Sequence, residues 1–194
     1  MATDDVVSGI DLSGDDYTVK QSLIRNKYNV YDGEGTLALT AKQKLFKLKE
    51  EFPFVDADGE PIFRIKAEGI LDVAGDYTIV DEPSGEPIAV LEKNWTLLSH
   101  KWKVRSPTDE RLLARIESRG AVVELIRNLP LVGLVTQFIP HAYTIESADG
   151  AQLGTIAGRL SFRDVYDITI DDEGDAPREA LVAAAIAVDA LEGN

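Results

Sequence analysis

A chain of 194 residues falls in the usual size range of one domain and can bury a sizeable core. Its 34 Asp and Glu against 20 Lys and Arg leave a net charge of -14, which argues against general nucleic-acid binding and opposes loose adhesion to anionic membranes. The absence of cysteine excludes disulfide scaffolds, thiolate metal sites and cysteine nucleophiles, and fits a reducing compartment.

Residues 1–16 carry Asp4, Asp5, Asp11, Asp15 and Asp16 without Lys or Arg, and lack the basic and apolar regions of a secretion signal. An acidic, solvated, flexible tail is expected there, followed by a single domain over 17–194 in the cytoplasm. The acid excess suits either a haloarchaeal surface, whose self-repulsion concentrated salt screens, or an ordinary acidic cytosolic protein.

From Tyr17 onward one local pattern recurs: an aromatic residue, alternating apolar positions, an acidic or small polar turn residue, then glycine. It runs through Tyr28–Gly35, Phe52–Gly59, Tyr77–Gly85 and Tyr143–Gly150. Each copy predicts a strand, a tight turn in which Asp and Gly accept the required backbone angles, and a returning strand. The returns are Leu37 to Leu39, Ile62 to Ile65, Ile88 to Leu91 and Leu153 to Ile156. Further strands are expected at Thr18 to Ile24, Lys44 to Leu48, Trp95 to Leu98, Trp102 to Arg105, Leu112 to Ile116, Val122 to Leu125 and Val165 to Ile170. In the apolar stretch Ala121 to Phe138, Pro130 and Gly133 oppose an unbroken helix.

One helix is expected at about 177–191. Pro177 suits its first position, Glu179 complements the dipole, and Ala180 to Val188 contains no polar residue, including Ala184, Ile186 and Val188. Apolar surface on every side demands burial, and about 15 residues at about 1.5 Å each fall short of a bilayer's ~30 Å, favouring a protein interior. Asp189 then needs either solvent at a rim or a buried donor. About a dozen strands and one such helix fit a mainly β fold, a closed antiparallel barrel with the helix threaded through it, because a can of about eleven strands has room for one. A sandwich with the helix on one face is the alternative, at the cost of exposing half of an apolar helix.

The segments Tyr17-Thr18-Val19-Lys20-Gln21, Tyr28-x-Val30-Tyr31-Asp32, the Asp-x-x-Gly hairpins, His100-Lys101-Trp102-Lys103-Val104, Tyr166-Asp167-Ile168-Thr169-Ile170 and Val188-Asp189-Ala190 follow one another along the chain. In that order they resemble the LURP-one-related family, within the wider class of Tubby C-terminal-like and phospholipid scramblase-like domains. The resemblance spans Tyr17 to Leu191. It implies a twelve-stranded barrel around the C-terminal helix. Tubby-like relatives bind phosphoinositides and scramblase-like relatives are linked to lipid and calcium. An anionic lipid or a phosphorylated small molecule is the ligand class expected, and a lipid-translocating protein with an inserted C-terminal helix is the competing reading.

Two basic clusters could hold an anion. Lys42 and Lys44 share a face by alternation, and the run from Lys93 to Arg105 holds Lys93, His100, Lys101, Lys103 and Arg105 without an acid. Their structural alternatives are a lysine-protected strand edge and two strands whose tryptophans fill the core. Asp171, Asp172, Glu173 and Asp175 are weak calcium candidates whose spacing is not that of an EF-hand loop, so no metal and no cofactor is expected. His100 and His141 are the only histidines, and no nucleophile elbow or phosphate loop accompanies them, which points to a non-enzymatic binding or scaffold protein.

Overall fold

The computed structural model describes residues 7–22, 27–42, 51–68, 76–96, 99–118, 142–159 and 165–192. Its strands are β1 (Asp16–Ser22), β2 (Lys27–Asp32), β3 (Leu37–Lys42), β4 (Phe52–Val55), β5 (Pro61–Glu68), β6 (Asp76–Asp81), β7 (Pro87–Thr96), β8 (Ser99–Arg105), β9 (Leu112–Ser118), β10 (Ala142–Ser147), β11 (Gln152–Gly158) and β12 (Val165–Ile170). They pair antiparallel in chain order and close into a barrel through β1 and β12, with Thr18 opposite Asp167. A closed barrel leaves no free sheet edge.

The alternation read from the sequence sets the two faces. Val19, Val30, Leu39, Phe54, Phe63, Ile79, Leu91, Val104, Ile116 and Ile145 point inward and are fully buried. The interior axis is helix α1 (Arg178–Glu192), which starts as β12 ends. From Ala180 to Val188 each side chain is at most 1% exposed, as an apolar surface on all sides requires. The alanines at 180, 183, 184 and 187 keep the helix slim enough to pack against strands all round. The helix starts one residue later than expected: Pro177 lies just ahead of it, and the Pro177 carbonyl accepts the first helical bond from Leu181 N at 3.2 Å.

The repeated hairpin is one turn used five times. Asp32, Asp56, Asp81, Ser106 and Ser147 each exchange backbone bonds with the residues that close their turn. A left-handed residue follows at Gly35, Gly59, Gly85, Glu110 and Gly150, and a register shift accompanies each hairpin. The side chain at the first position accepts backbone N–H groups as well; Asp56 Oδ1 receives those of Asp58, Gly59 and Glu60 at 2.9, 2.8 and 2.9 Å. The copy at 106–111 escapes the sequence pattern because Glu110 stands where the others have Gly.

Two expectations change. Residues 7–16 are not a solvated tail: Val7 and Leu12 are buried in the core, and Ser8 N donates to the Asp81 carboxylate at 2.8 Å. At the other end of this segment Ile170 N donates to Asp15 O at 2.8 Å, and Arg178 holds the Asp15 carboxylate at 2.7 Å. The segment thus crosses the barrel mouth from the β6–β7 turn to β1, and its apolar side chains cover the mouth where α1 enters. Second, Trp95 begins no strand of its own. It continues β7, opposite His100, because no glycine or proline interrupts Ile88 to Thr96. Of the strand expected at Thr18 to Ile24, β1 covers the part to Ser22, and Leu23 and Ile24 lie outside the described residues. The expected strands at Lys44 to Leu48 and Val122 to Leu125, and the stretch Ala121 to Phe138, lie outside the described residues.

Candidate functional site

With the axis occupied by α1 and the space around it filled by Trp102, Tyr28, Phe54 and Phe63, the chemistry available to a ligand is on the outside of the barrel. The basic run is the first candidate. On β8, Trp102 and Val104 point inward and are fully buried, so Lys101, Lys103 and Arg105 face outward by alternation. Neighbouring strands answer them with carboxylates. Glu117 on β9 meets Lys101 at 2.7 Å, and Glu92 on β7 meets Lys103 at 2.7 Å and Arg105 at 2.8 Å. Hydrogen bonds from Lys103 and then Arg105 hold the Glu92 carboxyl below its ordinary range. The run has no acid in sequence, yet the ladder neutralises most of it.

Lys93 stands apart from that row. It lies opposite Trp102 in the β7–β8 ladder, and its ammonium sits over the indole, 5.1 Å from the ring centre. His100 belongs to β8, but its side chain lies outside the described residues, as does that of Asp189 in α1. Lys44 lies outside them altogether. Lys42 ends β3 directly opposite Lys27 of β2. The side chain of Lys42 lies outside the described residues, and neither Lys27 nor the exposed Lys66 on β5 has an acidic partner among the described residues.

The acidic run after β12 does not converge. Asp171, Asp172, Glu173 and Asp175 are all exposed; Glu173 lies 3.8 Å from Arg178, and Asp175 3.7 Å from Arg111. Among the described residues, no three carboxylate or imidazole side chains meet where they could hold a metal ion.

A second feature was invisible in the sequence. An open groove of about 570 Å³ runs along the outer face of β12, β1 and β2, beside the turn at Asp32–Gly35. On its floor Thr18 Oγ1 donates to Asp167 at 3.0 Å and Thr169 Oγ1 to Asp16 at 2.9 Å. Toward the far end of the strands, Arg159 grips Asp167 with both its Nε and Nη2, the latter at 2.6 Å. Lys20 lies over the Tyr31 ring, 4.3 Å from its centre. Asp167 and Thr18 are 149 residues apart in sequence, so only closure of the barrel reveals the groove.

The charges sort along the barrel axis. One end holds residues 7–16, the hairpin turns and the start of α1 and carries more than half of the 34 acids; among the described residues the cations that reach it are Arg64, Arg105, Arg111, Arg115 and Arg178. The far rim is where Lys27, Lys42 and Lys101 sit.

Comparison with known proteins bears on the fold and the family. An X-ray structure of a protein from Arabidopsis thaliana superposes with a TM-score of 0.55 at 9% identity, covering 95% of this chain and 98% of that one. At that identity the likeness shows the fold alone. No curated protein matches in sequence, and neither finding speaks to a haloarchaeal origin. No helix among the described residues is long and apolar enough to cross a membrane. The family model described as LURP-one-related matches residues 37–189, from β3 into the interior helix. By that match over most of its length, the chain belongs to the LURP-one-related family.

Proposed function

We propose that the protein is a non-enzymatic binding module that attaches to phosphate-bearing anions through the far rim of its barrel, with an anionic lipid head group as the main source of that phosphate. The observation that carries this reading is Lys27 at the far end of β2, which has no acidic partner among the described residues. A lysine at a rim without a carboxylate beside it is a ready anion seat, because a phosphate oxygen can accept its N–H groups. Lys66 adds a further cation on the outer face, without an acidic partner among the described residues. The net charge of -14 opposes the reading less than it suggests. The acids are concentrated at the opposite end, and a helix of 15 residues separates the two ends by about 22 Å, more than two Debye lengths at physiological salt. A lysine at an anionic surface contributes about 1 kcal/mol, so a few suffice for reversible attachment.

The test is sedimentation with phosphatidylcholine vesicles, with and without phosphatidylserine, across a salt series. Binding confined to the anionic vesicles and weakening with salt is expected. Lys27→Glu/Lys66→Glu is expected to reduce it by about tenfold or more. A soluble phosphorylated ligand would instead reveal itself by inorganic phosphate shifting the Lys27 signals in the absence of vesicles. If neither vesicles nor phosphate engages the protein, or the double variant binds as well as the wild type, the rim is not the site.

A further inference from the structure

The groove on β12, β1 and β2 has a charge arrangement unlike the rest of the surface. At one end Asp16 and Glu34 have no cationic partner, and at the other the Lys20 ammonium has no carboxylate partner, among the described residues. Unpaired acids at one end of a groove and an unpaired ammonium at the other form a fixed dipole that nothing in the fold uses. Asp16 and Lys20 are four residues apart on β1, which at about 3.3 Å per residue is about 13 Å. A free amino acid, whose charges lie within a few ångströms, cannot reach both ends. An extended peptide of about three to four residues can, at about 3.3 Å per residue.

We propose that this groove binds a short, extended peptide carrying an amine at the Asp16–Glu34 end and a carboxylate at the Lys20 end. Between the two ends the floor offers hydroxyls of Thr18 and Thr169 and the carboxylate of Asp167, groups that can exchange hydrogen bonds with a peptide backbone. Arg159 supports the carboxylate end while remaining tied to Asp167, and Tyr31 walls that end with its ring beneath Lys20. The closed barrel presents no free edge, so the peptide is held by side chains rather than by adding a strand. This site is separate from the far-rim lysines used for anion attachment, and each can fail without the other.

The experiment is a titration of the isotope-labelled full chain with tetra-alanine, whose ends are charged, and with N-acetyl-tetra-alanine amide, whose ends are not. Tetra-alanine is expected to shift the amide signals of Thr18 and Asp167, and the capped peptide to bind at least about tenfold more weakly, as the loss of two exposed charge contacts predicts. Lys20→Gln and Asp16→Asn are each expected to weaken tetra-alanine binding about fivefold; should Asp16→Asn perturb folding, Glu34→Gln tests the same end. Equal binding of the capped peptide, no shift at all, or unchanged affinity in the variants overturns the proposal. So does perturbation of the groove by inorganic phosphate alone to the same extent as by tetra-alanine.

Discussion

The two ends of this barrel are made by different means. At one end each described chain reversal is a turn of a few residues locked by an Asp or Ser side chain and a left-handed residue, and residues 7–16 lie across the mouth. At the other, the strand ends carry Lys27 facing Lys42, and Lys101 paired to Glu117. An up-and-down barrel sends alternate connections to the same end, so a turn chemistry that needs Asp and Gly collects carboxylates there. The charge polarity is thus a by-product of turn chemistry and topology. Total charge is then a poor guide to which surface an anion can approach.

The comparison can be broken most severely at the turn end, by removing the apolar cover of the mouth. Leu12→Ala leaves a cavity in a fully buried position and is expected to cost about 2–5 kcal/mol, read as a lower denaturant midpoint at unchanged slope. A cost within error would mean that the segment merely rests on the barrel. Asp81→Ala comes next. This buried carboxylate accepts from Ser8 N and Ser84 N at 2.8 and 2.9 Å and also from the Ser84 hydroxyl, so its loss orphans donors at a cost of about 1–3 kcal/mol. Hydrogen exchange should accelerate at Ser8 and Ser84 before it does at the far rim.

A smaller effect of opposite sign is expected at the one irregular turn. Glu110 holds φ at 57° where the other hairpins have glycine, and Glu110→Gly should raise stability by about 0.5 kcal/mol, the relief of left-handed strain less the added chain entropy. A decrease would show that its side chain contributes more than its backbone costs. The smallest effect concerns pH on the barrel wall. The folded-state pKa of Glu92 is depressed by Lys103 and Arg105, so its contribution is present above the ordinary glutamate pKa and is lost as pH falls through the depressed folded value. Glu92→Gln should flatten that acid limb of the stability curve, measured from pH 6 downward by denaturant titration at roughly half-unit steps through about pH 4.3. An unchanged limb would show that solvent screens the pair completely. Tyr17 works the other way. Burial pushes its hydroxyl up to about 12, so its contribution is kept below the ordinary tyrosine pKa and lost as pH rises toward that value; Tyr17→Phe should remove this alkaline loss.

Much of the architecture was legible in the residues themselves. Ala180 to Val188 announced a helix that had to be buried, and the Asp-to-Gly spacing announced hairpins, because both signals are complete within a few residues. The site was less legible. The run Lys101, Lys103 and Arg105 read as uncompensated because Glu92 and Glu117 lie on neighbouring strands. Lys20, Tyr31, Arg159 and Asp167 did not read as one site because nothing in the intervening chain marks the pairing of β1 with β12.

Residues 7–16 mark the boundary between the two kinds of information. Their acids and small residues read as a solvated tail, and only the mouth they cover gives Val7 and Leu12 somewhere to be buried. By itself the sequence determined the elements: strands by alternation, turns by backbone angles, the helix by its lack of any polar face. The tertiary structure alone decided which charges meet and where the unpaired ones gather. Coulombic and hydrogen-bond partners act over a few ångströms in space, and closing the barrel brings together residues that the chain keeps far apart.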